Sequence, residues 1–81
     1  MIIWLTIAEC LGTDGEFFSE TYLNRTAQEA GELACSLMAD MCQEMDIEDV
    51  DPTTVQEIGP ATGEWFYRVR VEGQEFPAKE D

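Results

Sequence analysis

The chain contains no histidine and only four lysine or arginine residues, against 18 aspartate and glutamate residues in a length of 81. Without histidine it lacks the usual general base near neutral pH and the usual partner of a serine or cysteine nucleophile. Its net charge of −14 has the wrong sign for binding phosphates or anionic lipid, since such proteins carry basic patches. We therefore expect a non-catalytic protein without a cofactor, a nucleic-acid ligand or a membrane surface, whose macromolecular partner is basic.

The sequence also has little that would direct it out of the cell. The apolar run over residues 1–8 is interrupted by Glu9, has no positive segment before it and is too short to span a bilayer. The cysteines at positions 10, 35 and 42 are an odd number in a chain without a secretion signal. This combination predicts free thiols in a reducing compartment, and so a cytoplasmic protein.

The length limits the architecture to one small α+β domain over residues 1–81. A chain of this size buries only about 60% of the surface that its unfolded form exposes, which excludes a deep cleft between lobes. Hydrophobic residues make up 44% of the chain and aromatic residues 10%, which is too apolar for the disordered acidic class. Any functional site is expected on the surface.

The first 23 residues have the pattern of a β-hairpin. Residues 2–11 are apolar on both alternating faces, which predicts a central strand. Residues 12–15, Gly-Thr-Asp-Gly, form a turn sequence, and residues 16–23 are rich in aromatic and β-branched side chains that favour a return strand.

A helix is predicted from Thr26 to about Met45 or Asp46. Thr26 and Glu29 have the spacing of a capping box, in which each side chain satisfies the other's backbone amide. Apolar residues then recur every three or four positions, which predicts one buried stripe. The stripe consists of Ala30, Leu33, Ala34, Leu37, Met38, Met41 and Met45.

The second half of the chain predicts two more strands. An acidic connector over residues 46–52 leads to a short strand over 53–58, a Gly-Pro turn over 59–63 and a clearly alternating strand over 64–72. The alternation predicts Trp65, Tyr67, Val69 and Val71 facing inward. The ββαββ order corresponds to an antiparallel sheet of about four strands with one helix packed on one face, followed by a frayed tail over 74–81.

The acidic residues are concentrated on the helix and the connector. Eight of them lie between residues 29 and 51, with no basic residue among them: Glu29, Glu32, Asp40, Glu44, Asp46, Glu48, Asp49 and Asp51. Carboxylates three or four residues apart on a helix have Cβ atoms about 5 to 6 Å apart, which resembles the spacing of phosphates along a nucleic-acid strand. The alternative is a solvated face that only keeps a small protein soluble.

In size, acidity, lack of histidine and α+β layout, the chain resembles the small anti-defence proteins of phages, the acidic anti-CRISPR and anti-restriction proteins, several of which mimic DNA. The resemblance is to the whole chain's character and includes no diagnostic motif. It implies a stoichiometric inhibitor in the cytoplasm of the host bacterium. Such an inhibitor would occupy the Lys- and Arg-lined surface of a CRISPR surveillance complex, or of another DNA-binding defence protein, where that complex reads the protospacer-adjacent motif or holds target DNA.

Two other functions fit the same sequence. An antitoxin or accessory subunit would cover a toxin or enzyme partner through hydrophobic contacts. For any of these functions the sequence is compatible with a monomer or a weak dimer. A divalent-cation-binding protein would use the connector acids, but a calcium loop starting at Asp46 has Asp51 at the position where glycine is needed and Pro52 at the next.

Overall fold

The computed structural model describes residues 1–75 and contains four strands and one helix. They are β1 (Ile2–Leu11), β2 (Phe17–Asn24), α1 (Ala27–Glu44), β3 (Glu57–Ile58) and β4 (Phe66–Glu75). The antiparallel sheet has the order β2-β1-β4-β3. The predicted α+β class and ββαββ order are confirmed.

β1 is a central strand, as its two apolar faces predict. It pairs with β2 from Trp4 opposite Asn24 to Leu11 opposite Phe17. On its other side it pairs with β4 along its whole length, from Ile2 opposite Glu75. A strand with neighbours on both sides has no free edge, so apolar side chains on both of its faces are sheltered.

The helix covers one face of the sheet and leaves the other, here called the open face, without a covering element among residues 1–75. The Thr6 hydroxyl is fully buried and donates a hydrogen bond of 2.9 Å to the Ala30 carbonyl, so Thr6 marks the covered face. Asn24 Nδ2 donates to the same hydroxyl at 3.1 Å. This group of bonds ties β1, β2 and α1 together with no polar side chain left unpaired.

The core lies between α1 and the covered face. Its buried members form one cluster, which consists of Ala8, Met38, Cys42, Ile58, Tyr67 and Val69. The predicted apolar stripe of the helix is confirmed for Ala30 and Met38, which are at most 1% exposed. Met45 departs from it, because it caps the helix C-terminus and is 41% exposed.

The helix begins where the sequence predicts it. Thr26 is its N-cap, and the Thr26 hydroxyl accepts a hydrogen bond of 3.1 Å from the Glu29 amide. The helix ends at Glu44, one or two residues before the predicted boundary at Met45 or Asp46. Among residues 1–75 no helix combines the length and the apolar character that crossing a membrane requires.

The third strand is shorter than the predicted segment 53–58. Only Glu57 and Ile58 pair with β4. The Asp51 carboxylate accepts a bond of 2.9 Å from the Thr53 amide, and the Asp51 carbonyl accepts one of 3.1 Å from the Thr54 amide. These bonds hold the backbone in a turn, so residues 53 and 54 cannot extend.

The fourth strand runs from residue 66 to 75 instead of 64 to 72. Gln74 and Glu75, predicted in a frayed tail, are paired with Ile3 and Ile2, because the long β1 offers backbone partners where the alternating pattern has already ended. Residues 76–81 of the predicted tail lie outside the described residues.

The predicted inward orientation of four alternating side chains is confirmed. Tyr67 and Val69 are buried, and Trp65 packs against the core cluster. Val71 lies on the covered face opposite Thr6, although it is 40% exposed. A groove of about 300 Å³ between α1 and β4 reaches Val71, and Gly31 lines its helix side. Because glycine has no side chain to fill the groove, Val71 stays accessible.

Candidate partner-binding surface

The eight predicted carboxylates lie within one stretch of the chain, residues 29–51, and are here called the acidic surface. All eight are exposed. They belong to α1 and to the connector that follows it, and they are Glu29, Glu32, Asp40, Glu44, Asp46, Glu48, Asp49 and Asp51.

The helical part of this surface lies opposite the core. At 3.6 residues per turn, Glu29, Glu32, Asp40 and Glu44 fall within an arc of about 120° and extend over about 22 Å of the helix axis. Met38 lies on the far side of the helix and packs into the core. The packing of the apolar side of α1 therefore directs all four carboxylates away from the sheet.

The connector is held against the core rather than free in solvent. Ile47, Val50 and Val55 are partly buried and pack against the core cluster. The acidic residues between them point outward because the apolar ones turn in. The connector acids therefore have defined positions, and binding a partner requires less ordering of the chain than a flexible loop would.

Two of the eight carboxylates also have structural roles. Asp46 has a φ of 57°, the left-handed conformation that favours glycine. It follows the C-cap of α1 in a Schellman motif, in which the Ile47 amide donates to the Cys42 carbonyl at 2.9 Å and the Asp46 amide to the Gln43 carbonyl at 3.3 Å. Hydrogen bonds from the Thr53 hydroxyl and amide lower the pKa of Asp51.

Two acids of the open face, Glu9 and Glu57, are in contrast paired with arginine. Arg68 Nε donates to Glu9 Oε1 at 2.9 Å, and Arg68 Nη1 lies 3.8 Å from Glu57 Oε2. This hydrogen bond lowers the pKa of Glu9 and raises that of Arg68. The Arg68 guanidinium also lies 4.7 Å from the centre of the Phe66 ring, a cation–π contact.

The acidic surface has no such partner in the part of the chain that the structure describes. None of its eight carboxylates forms a salt bridge with the arginines at positions 25, 68 and 70. Four of them lie close together in sequence at the C-terminal end of α1 and just after it: Glu44, Asp46, Glu48 and Asp49. The negative end of the helix macrodipole disfavours acids there, and the last turn contains no basic residue.

Burial is the main cause that raises the pKa of Tyr67. The neighbouring groups Tyr22 and Cys10, and then Glu20 and Asp40, raise this pKa further. Tyr67 lies on the covered face next to Cys10. Its hydroxyl is therefore neutral at neutral pH.

Within residues 1–75 no group of three or more acidic or thiol side chains could hold a metal ion. The groove between α1 and β4 has Cys35 and Arg70 as its titratable side chains. All three cysteines are free, as predicted, with Cys42 buried and the other two partly buried.

Sequence reasoning missed the exposed apolar side chains of β2. Phe17 and Phe18 are 52% and 60% exposed, and Leu23 is 71% exposed. Aromatic and β-branched content predicts a strand, but it does not say whether that strand lies inside the sheet or at its edge. The position of β2 at the edge became visible only with the strand order.

No family model, no curated protein and no solved structure matches this chain.

Proposed function

We propose that the protein is a non-catalytic inhibitor that binds the nucleic-acid-binding surface of a bacterial defence complex through its acidic surface. The target that best fits the proposal is a CRISPR surveillance complex, at the surface that reads the protospacer-adjacent motif or holds target DNA. The carboxylates would pair with lysine and arginine side chains that otherwise hold phosphates. Occupancy alone would then block DNA binding.

The observation that carries the proposal is the concentration of unpaired acids on one stretch of chain. The eight carboxylates of the acidic surface lie within residues 29–51 with no basic residue among them, and none has an arginine within 4.0 Å among residues 1–75. The other exposed acids without an arginine partner are spread over the rest of the chain. Unpaired carboxylates of defined position attract a basic surface at long range and pair with it at contact.

The acidic surface also destabilises the fold that carries it. Like charges on neighbouring turns repel each other, the acids at the end of α1 oppose its macrodipole, and Asp46 occupies a conformation better suited to glycine. A face needed only for solubility could avoid all three effects. Their combination supports a role in binding.

The experiment compares two variants of equal charge. One replaces four acids of the acidic surface (Glu32→Gln, Asp40→Asn, Glu44→Gln and Glu48→Gln). The matched control replaces four exposed acids elsewhere (Glu16→Gln, Glu64→Gln, Glu72→Gln and Glu75→Gln). Each protein is titrated against a purified CRISPR surveillance complex, with and without target DNA.

We expect the first variant to bind on the order of 100-fold more weakly, since each exposed ion pair contributes roughly 0.2 to 1 kcal/mol. The control should stay within a few-fold of the parent protein. Binding should weaken as salt rises, and DNA should compete with it. Equal losses in the two variants would contradict a localised site.

The antitoxin alternative makes the opposite predictions. Its support is the exposed Phe17, Phe18 and Leu23, which suit a hydrophobic contact with a toxin or enzyme. Binding that is insensitive to salt, survives loss of the four surface acids and is lost on Leu23→Ser would favour it over the inhibitor.

A further inference from the structure

The outer edge of β2 is a long strand edge without a partner in the described chain. β2 is the terminal strand of the sheet, and all eight of its residues pair with β1 on one side only. The Gly12 amide donates to the Glu16 carbonyl at 2.9 Å. In an antiparallel ladder hydrogen-bonded and non-hydrogen-bonded residue pairs alternate, so this bond shows that the even-numbered residues of β2 bond to β1. The amides and carbonyls of Phe17, Ser19, Thr21 and Leu23 therefore point to the outer edge.

This edge lacks the features by which proteins prevent strand pairing. Exposed edges are commonly short, charged, bulged or interrupted by proline. β2 pairs with β1 in an uninterrupted register, contains no proline and has Glu20 as its one charged residue. The opposite edge of the sheet is protected by its short strand and by charge. β3 has only two residues, of which Glu57 is charged, and the part of β4 that extends beyond it contains Arg70, Glu72 and Glu75.

The apolar side chains of β2 lie towards its two ends, in a molecule that is otherwise strongly acidic, with Ser19, Glu20 and Thr21 between them. Phe17 and Leu23 lie on the open face at the two ends of β2 and are 52% and 71% exposed. Phe18 and Tyr22 lie on the covered face. An edge with free backbone groups, exposed apolar ends and a single charge is suited to pairing with another strand of the same kind.

We propose that β2 pairs antiparallel with β2 of a second copy, so that two sheets of four strands join into one of eight. Opposite residues of a ladder share a face, which restricts the possible registers. In one register Phe17 lies opposite Leu23 of the second copy, and Phe18 lies opposite Tyr22 of the second copy. The two-fold axis repeats both pairs, so the ladder contains each of them twice. It brings every large apolar side chain of the edge against another.

The same register sets Glu20 opposite Glu20 of the second copy, at the two-fold axis. Like charges directly opposite each other destabilise a strand pair. The two copies also repel as wholes, since each has a net charge of −14. The dimer is therefore weak, and it strengthens when either repulsion is reduced.

The two-fold axis runs perpendicular to the sheet, so both helices lie on the same face of the dimer. The two acidic surfaces then face the same side, and a partner meets them together. The dimer rests on the edge of β2 and does not depend on the proposed function.

The test is sedimentation equilibrium of the full chain over a range of concentrations. Raising NaCl from about 50 to about 500 mM should lower the dimer dissociation constant by screening the repulsion. Glu20→Gln, which keeps an acceptor for the Tyr22 hydroxyl, should lower it roughly two- to fivefold. Leu23→Ser should raise it about tenfold, because an apolar contact is lost on each side.

Val71→Ser on β4 is the matched control, because Val71 is an exposed apolar side chain away from β2. Its dissociation constant should match that of the parent. A chain that is monomeric at all concentrations, or a dimer unaffected by Leu23→Ser and Glu20→Gln, would overturn the proposal. A complex in which a strand of a different protein pairs with the outer edge of β2 would also overturn the proposal.

Salt separates this proposal from the proposed function, since added salt should strengthen the dimer and weaken binding to a basic target. Either proposal can therefore fail while the other stands.

Discussion

The two sides of the molecule use acidic residues in different ways. On the open face, Glu9 and Glu57 are held by Arg68, which also covers Phe66. On the helix side, the eight carboxylates of the acidic surface have no arginine beside them within residues 1–75. Acids that pair within the fold contribute to its stability, whereas unpaired acids of fixed position are available to a partner. A count of acids does not distinguish the two kinds.

The two sides also differ in how apolar residues are sheltered. The covered face buries its side chains under α1. On the open face Leu5 and Ile7 are still only 9% and 8% exposed. Longer side chains lie opposite them on the neighbouring strands, Glu72 across from Leu5 and Arg70 across from Ile7. Their aliphatic stems cover apolar surface while the charged ends stay in water.

The largest expected effect tests whether the core beneath α1 holds the acidic surface in place. Met38→Ala removes a side chain that is 1% exposed and should lower the free energy of unfolding by about 2 to 5 kcal/mol. Met45→Ala makes the same change in the same helix at a residue that is 41% exposed, and it should cost less than about 1 kcal/mol. Urea denaturation measures both. Equal losses would mean that α1 is not anchored through Met38.

A smaller effect is expected at Asp46, where a substitution that stabilises the fold should weaken binding to the partner. Asp46→Gly should raise the free energy of unfolding by about 1 kcal/mol, because glycine accepts the positive φ and the acid at the negative end of the helix is removed. Asp46→Asn removes the charge and tolerates the same backbone. Both should weaken binding to the basic target. A variant that is more stable and binds equally well would remove Asp46 from the proposed site.

The smallest effect on stability is expected for the ion pair between Glu9 and Arg68 on the open face. The Arg68 hydrogen bond lowers the pKa of Glu9 below its ordinary value of 4.5. The stability that this pair contributes is complete above that value and is lost as the pH falls through the lowered pKa. In Glu9→Gln this contribution is missing, so the difference in urea midpoint between the two proteins should shrink in acid. A difference that does not change with pH would argue against the ion pair.

Much of the fold could be predicted because its signals are local. The start of α1 at Thr26 depends on a bond to the Glu29 amide three residues away. The strand character of β1 follows from its alternating apolar side chains. The ends of β3 and β4 could not be predicted, since the turn at Asp51 and the length of β1 decided them.

The sequence alone determined the element order, the apolar side of the helix and the position of eight acids on one stretch of chain. Only the tertiary structure decided which acids are paired, because Glu9 and Arg68 are 59 residues apart in sequence and meet through strand pairing. The tertiary structure also brought Ile47 and Val50 against the core, which fixes the connector, and left β2 at the edge of the sheet. Contacts between distant residues depend on the packing of the whole chain, and no local pattern encodes them.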